Sequence, residues 1–275
     1  MLRGAQNGHE RLFIKLMDKE PKSLAPSLSR GLDVIEILAK NSEELSFAEI
    51  LQGLKIPTSS LWRVLQILRE RGYVHFDERR RTYRVGFQFL YMGNILMNGF
   101  GYRSLAREYL KRLAEESGET TELDVRIRDQ LVLIDMVEGA EAVRLYSHPG
   151  SVIPYFHATA PGKVYLAHME KERLRRGVQK LGLPRLTIHT IHDLEQLEKE
   201  IDDVKLRGYA YDFEELREGV CRISAPIYDR ENKVLGCFTI ACPSFRLDKN
   251  GARKDDLGLL LKKIAFEFSK EHGRL

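Results

Sequence analysis

Cysteine is scarce in this chain, with only Cys221, Cys237 and Cys242 among 275 residues. The three show no metal-ligand spacing and cannot all pair, so a disulfide framework is excluded and a reducing cytoplasm is the simplest compartment. Long apolar runs are missing too. Nothing approaches the about 18 consecutive apolar residues of a membrane-spanning helix. Proline is infrequent: nine residues, against 43% hydrophobic ones, leave the chain able to bury two cores. Its length suggests two domains of ordinary size. The polar stretch 1–26 has one short apolar patch, Leu12-Phe13-Ile14, and lacks a secretory h-region; a loosely ordered arm is expected there. His148, His157, His189 and His192 form no metal spacing with a carboxylate or thiol, so no metal and no cofactor are expected.

Charge of one sign is not abundant, but it is unevenly placed. The net +4 lies entirely in residues 1–102, which hold 15 basic and 11 acidic side chains; the remaining 173 residues hold 29 of each. An excess confined to one segment is the electrostatic footprint of a nucleic-acid reader.

That segment contains an ordered set of signals. A first helix is expected over about 29–40, with Leu32, Ile35, Leu38 and Ala39 inward. A second, around Ser46 to Leu51, is followed by Lys55-Ile56-Pro57, where Pro57 suits the first position of a third helix. Thr58, Ser59 and Ser60 place hydroxyls in its first turn. Leu61, Leu65 and Leu68 form the buried stripe, with Val64 and Ile67 at its margins, and Ser59, Trp62, Arg63 and Gln66 opposite. A helix entering after a short turn presents such side chains to a major groove. Two alternating strands, 72–76 and 82–86, flank Asp77-Glu78-Arg79-Arg80-Arg81. A hairpin of this kind is a wing, whose arginines reach phosphates or a minor groove. The expected DNA contacts are therefore Thr58, Ser59, Ser60, Trp62, Arg63, Arg79, Arg80, Arg81 and Tyr83.

Residues 87–102 read as an apolar, glycine-punctuated linker helix. So much apolar surface needs burial, either within its own chain or in a seam between two copies, since symmetric DNA readers pair. Beyond it, helices fit 103–117, 162–181, 193–206 and 255–271. Strands fit 121–128, 131–137, 143–147, 209–212, 221–228 and 234–242. Helices around a largely antiparallel sheet make an α+β domain over 103–275, after a DNA-binding domain over 27–86.

Several motifs now resemble the IclR family of bacterial transcriptional regulators. In the N-terminal half they are Ser29 to Leu38, Pro57 to Arg63, Gly72-Tyr73-Val74 and Tyr83-Arg84-Val85-Gly86. In the C-terminal half they are His157-Ala158-Thr159-Ala160-Pro161-Gly162-Lys163, then Gly208-Tyr209, Asp212, Glu214-Glu215, Gly219 and Ala225-Pro226-Ile227. The resemblance covers residues 27–247. It implies a winged helix-turn-helix, a linker helix and a GAF-like α/β effector-binding domain, assembled as dimers or tetramers. It also implies a small effector, often an organic acid, in the C-terminal domain. The matching walls are Val143, Thr159, Ala160, Gly162, Asp212, Val220, Arg222, Thr239 and Ala241. The N–H groups of Ala160 and Gly162, at a helix N-terminus, would favour a carboxylate; Lys163 either adds charge or points to water.

One departure from the family pattern stands out. Family members commonly carry Cys at the position of Arg222, whereas here the Cys is one residue earlier, at Cys221. A one-residue offset reverses the face of a strand, so Arg222 is expected inward and Cys221 away. A buried guanidinium needs an anion partner: Asp212, Glu215 or a ligand carboxylate. The function expected is a non-enzymatic regulator that binds an operator in double-stranded DNA under effector control. The alternative is a GAF-domain enzyme using cysteine redox chemistry; no cysteine has a histidine at recognisable spacing.

Overall fold

The computed structural model describes residues 25–145, 147–247 and 251–273. The expected N-terminal arm lies almost wholly outside them. The chain divides near residue 96 into two compact units.

The first unit packs three helices against a three-stranded sheet. Helix α1 (Pro26–Lys40) begins with Pro at its start, where the missing N–H costs nothing. Its core face is Val34 and Leu38, with Ile37 at the margin; Leu32, expected inward, is exposed. Strand β1 (Leu45–Ser46) leads into α2 (Phe47–Leu54), which Ser46 and Glu49 cap reciprocally: Glu49 N–H donates to Ser46 Oγ, and Ser46 N–H to Glu49 Oε2. Lys55 takes a left-handed conformation to end α2. Helix α3 (Thr58–Glu70) follows, with Pro57 as its N-cap rather than its first helical residue. Leu61, Val64 and Leu65 are buried against Val34, Leu38, Ile50 and Val74. The wing is β2 (Val74–Asp77) and β3 (Thr82–Val85). β3 is central because the unforeseen β1 pairs along its other edge. Gly86 has no substitute: an added Cβ would stand 2.1 Å from the Gly72 carbonyl oxygen. Helix α4 (Gln88–Asn98) follows, and none of its residues is buried.

The second unit holds α5 (Arg103–Ser117) and a six-stranded, fully antiparallel sheet in the order β6-β5-β4-β9-β8-β7. Its strands are β4 (Thr120–Ile127), β5 (Gln130–Val137), β6 (Val152–Ile153), β7 (Ala210–Phe213), β8 (Val220–Tyr228) and β9 (Val234–Pro243). One sheet face, with Leu123, Ile223, Phe238 and Ile240, buries α5 and the closing helix α9 (Ala252–His272). The other face lies under α6 (Ala160–Ala167), which packs on α8 (Leu194–Arg207).

Two expectations fail here for local reasons. The helix expected over 162–181 is two helices, α6 and α7 (Lys171–Leu181). His168 and Met169 close α6 with tight bonds to Tyr165 and Leu166, and the His168 ring takes the Val164 carbonyl. α6 is buried throughout, while α7 is largely solvent-facing. The strand expected over 143–147 is absent among its described residues, 143–145 and 147. Side chains take the backbone there, Arg246 binding the Val143 carbonyl and Thr120 that of Leu145.

Candidate nucleic-acid interface and effector site

On α3, Thr58, Ser59, Trp62 and Arg63 are exposed, Trp62 by 58%. With Phe47, Phe76, Arg81 and Tyr83 they line an open cleft of about 1000 Å³ between helix and wing. Ser60 differs from expectation. It is buried, and its hydroxyl accepts from Arg30 Nη1 at 3.0 Å, so it ties α1 to α3 instead of facing outward.

The wing arginines are not equivalent. Asp77 Oδ1 accepts from the backbone N–H groups of Arg79 (2.8 Å) and Arg80 (3.0 Å), setting both at the exposed tip. Those bonds, Arg80's first, also hold the Asp77 carboxyl below its usual range. Arg81 is left-handed (φ 58°), and its guanidinium turns back over the Phe76 ring, with Arg69 of α3 over the same ring at 4.6 Å. Phe76 also contacts Tyr83, centroids 4.6 Å apart. The roles of Phe47, Phe76 and Arg69 were missed in the sequence; Phe76 alternates with Val74 along β2, and that alternation was its only signal.

The second site is the polar sheet face beneath α6. Cross-strand register lines up Thr120, Ala241, Arg222 and Asp212 in one row, and Glu122, Thr239, Ser224 and Ala210 in the next. Seven of the nine expected wall residues, Thr159, Ala160, Gly162, Asp212, Arg222, Thr239 and Ala241, belong to this face or to the helix start above it. Val143 does not: its side chain is 58% exposed. Val220 is half-buried at the end of β8.

The helix start is already satisfied by the chain itself. Asp212 Oδ2 accepts the Ala160 N–H at 3.0 Å, and Thr159 Oγ1, as N-cap, accepts that of Gly162 at 3.2 Å. The N–H pair expected to await a carboxylate is therefore occupied. Gly162 itself is required by packing, since a Cβ would meet the Phe156 carbonyl oxygen at 2.2 Å. Lys163, left open between ligand and solvent, is fully buried, its ammonium bonded to Glu215 and to the Tyr211 carbonyl.

Arg222 finds its partner in Glu122 (3.3 Å), which the sequence reading had not considered, rather than in Asp212 or Glu215. Burial opposes its charge, but Glu122, Asp212 and Asp124 outweigh that and hold its pKa above the ordinary value. Glu122 also accepts from Ser147 at 2.6 Å. Ser224 donates to Thr239, which donates to Asp124 at 2.7 Å. Burial, helped by the Glu122 charge, pushes Asp124 up to about 7. Burial does the same to Asp212, again to about 7, against the pull of Arg222.

These shifts carry a pH dependence. Both folded-state values lie above the ordinary 3.8, so folding favours the protonated forms. Their contribution is complete below about pH 4 and disappears as pH rises through about 7. The urea midpoint of the second unit should fall over that window, and Asp124→Asn and Asp212→Asn should each flatten the fall; an unchanged slope in both variants refutes the assignment.

Cys221 faces the opposite, helix-covered side, across from Cys242. Burial drives both thiols up to about 12 and that of Cys237 well above its ordinary value. His157 is buried with Nε2 against the Pro184 carbonyl at 3.1 Å, and burial lowers its pKa.

Comparison with known proteins gives matches over both units. Residues 27–78 match the IclR helix-turn-helix domain, and 97–270 the bacterial transcriptional regulator IclR C-terminal domain. The HTH-type transcriptional regulator BhcR of Paracoccus denitrificans is 32% identical over 80% of this chain and 78% of its own. The HTH-type transcriptional repressor AllR of Klebsiella pneumoniae is 30% identical over 81% and 82%. An IclR homologue from Microbacterium hydrocarbonoxydans, solved with 4-hydroxybenzoate, shares the fold. Its TM-score is 0.74 at 20% identity, covering 89% of this chain and 98% of that one. Among the described residues, no helix is long and apolar enough to cross a membrane.

Proposed function

Because the chain belongs to the IclR family of bacterial transcriptional regulators, with a helix-turn-helix DNA-binding domain and a C-terminal effector-binding domain, we propose how it uses each. The α3 cleft reads a double-stranded operator, and the polar sheet face senses a small organic acid that alters operator affinity. The observation that carries the DNA half is the convergence of Thr58, Ser59, Trp62, Arg63 and Arg81 on one open cleft. In this reading Arg63 and Arg81 approach base edges, Trp62 packs on sugar or base, and Arg79 and Arg80 hold phosphates. Tyr83 supports the cleft wall through Phe76.

The effector half rests on Arg222, a cation held on a largely buried polar sheet face, and one homologue, from Microbacterium hydrocarbonoxydans, was solved with a small aromatic acid, 4-hydroxybenzoate. A ligand acts through its differential affinity for the DNA-competent and DNA-incompetent arrangements. The exposed apolar side chains of Leu90, Tyr91, Ile95 and Leu96 on α4 favour self-association of two copies, which matches the two-fold symmetry of operators.

Operator titration with and without a panel of small acids tests the scheme. Wild type is expected to change affinity with at least one acid. Arg222→Gln should lose that response while binding unliganded operator normally and melting as a folded protein. An equal response in both proteins removes Arg222 from the site. The cysteine-enzyme alternative has little physical support: three buried thiols with raised pKa values make poor nucleophiles.

A further inference from the structure

Arg222 and Asp212 are direct cross-strand neighbours on β8 and β7, and each keeps one buried polar atom without a hydrogen-bond partner among the described residues. They are Arg222 Nη1, a charged donor, and Asp212 Oδ1, an acceptor once the carboxyl ionises. Neither satisfies the other, although Glu122 holds the Nε side of the guanidinium and the Ala160 N–H holds Asp212 Oδ2. Buried polar groups are nearly always paired, because an unmade bond forfeits the hydration the group has lost. A donor and an acceptor left open side by side therefore specify what should lie between them.

The neighbouring side chains on that face are small. Ala241 and Thr239 follow on β9, Ser224 on β8 and Ala210 on β7, and the two hydroxyls are engaged with each other and with Asp124. A plain monocarboxylate would serve Arg222 alone. It would leave Asp212 Oδ1 open and set a further negative charge beside Glu122. An amide would serve Asp212 but offer Arg222 only a neutral oxygen, a weaker partner for a buried guanidinium than a carboxylate. We propose that the effector is a small acid bearing a hydrogen-bond donor on the carbon next to its carboxylate, a 2-hydroxy or 2-amino acid. Its carboxylate binds Arg222 Nη1, and its hydroxyl or ammonium donates to Asp212 Oδ1. This rests on the polar face being the effector site.

The test is calorimetric titration of the full-length protein with matched pairs of two sizes. Lactate and alanine are set against propionate, mandelate and phenylglycine against phenylacetate, and lactamide replaces the carboxylate. At least one 2-substituted acid should bind about tenfold or more tightly than its unsubstituted partner, since a site built to pair a donor rejects the analogue lacking it. Lactamide should not bind. Whether hydroxyl or ammonium wins separates the two members of the class. In Asp212→Asn the Ala160 N–H claims the amide oxygen, so an N–H₂ group replaces the open acceptor and the preference should vanish. Equal binding of propionate with lactate and alanine, and of phenylacetate with mandelate and phenylglycine, overturns the proposal in the wild type alone, whatever the variant does. So does an absence of binding by all of them. The operator titration with a broad acid panel then decides separately whether the face senses any acid.

Discussion

Arg63→Ala lowers operator affinity by about 1–3 kcal/mol and relaxes discrimination at one base pair, if its exposed place on α3 meets a base edge. Arg81→Ala belongs with it, because its side chain is turned into the same cleft instead of standing at the wing tip. Arg79→Ala and Arg80→Ala behave differently. Each should weaken all sequences alike and reduce the slope of log affinity against log salt by about one unit. Titrations of an operator and a scrambled duplex at several salt concentrations separate the two patterns. A sequence-dependent loss from Arg79→Ala or Arg80→Ala, or a uniform one from Arg63→Ala, would reverse the roles assigned to tip and cleft.

Lys163→Met should destabilise the second unit by about 3–5 kcal/mol, the cost of leaving a buried charge without its partner. Lys163 is 1% exposed and Glu215 9%, and the ammonium also holds the Tyr211 carbonyl. It therefore fastens α6 to β7 and to the segment that follows it. Adding Glu215→Gln to Lys163→Met should recover part of the loss, because the abandoned carboxylate is then gone. Urea unfolding of the three proteins measures both effects. A single variant as stable as wild type would mean that the pair is hydrated and holds nothing.

Helical periodicity and strand alternation, both short-range signals, located the reading helix, the wing and most strands of the second unit. They misassigned part of the inner face of the first helix: Leu38 is buried as expected, but Leu32 and Ala39 are exposed, and the buried Val34 lies nearly opposite Leu32 on the helix, on the side that packs on α3. The capping box at Ser46 and Glu49 went unread although its spacing is local, and the two-residue strand ahead of it depends on pairing with Tyr83 and Thr82, far along the chain. At the proposed effector site the sequence identified residues but not their partners. Strand parity correctly separates Arg222 from Cys221. Glu122 lies a hundred residues before Arg222 and comes within reach only because β4 and β8 both flank β9. The same distance hid the use of Asp212 as the acceptor for Ala160, which fills the anion position that the helix start had suggested.

The close approach of Gly86 to Gly72 makes the reading head a ruler. Gly86 N–H donates to the Tyr73 carbonyl at 2.8 Å and Gln88 N–H to that of Gly72 at 3.2 Å, so the wing is clamped where α3 ends. Phe76, held between Arg69 of the helix and Arg81 of the wing, fixes the other side. If Arg63 meets base edges and Arg79 and Arg80 meet phosphates as proposed, the offset between them is set by the protein and cannot stretch to suit a sequence. Any mismatch in groove width is left to the duplex, so flanking steps that bend or narrow easily should be preferred although no side chain touches their bases.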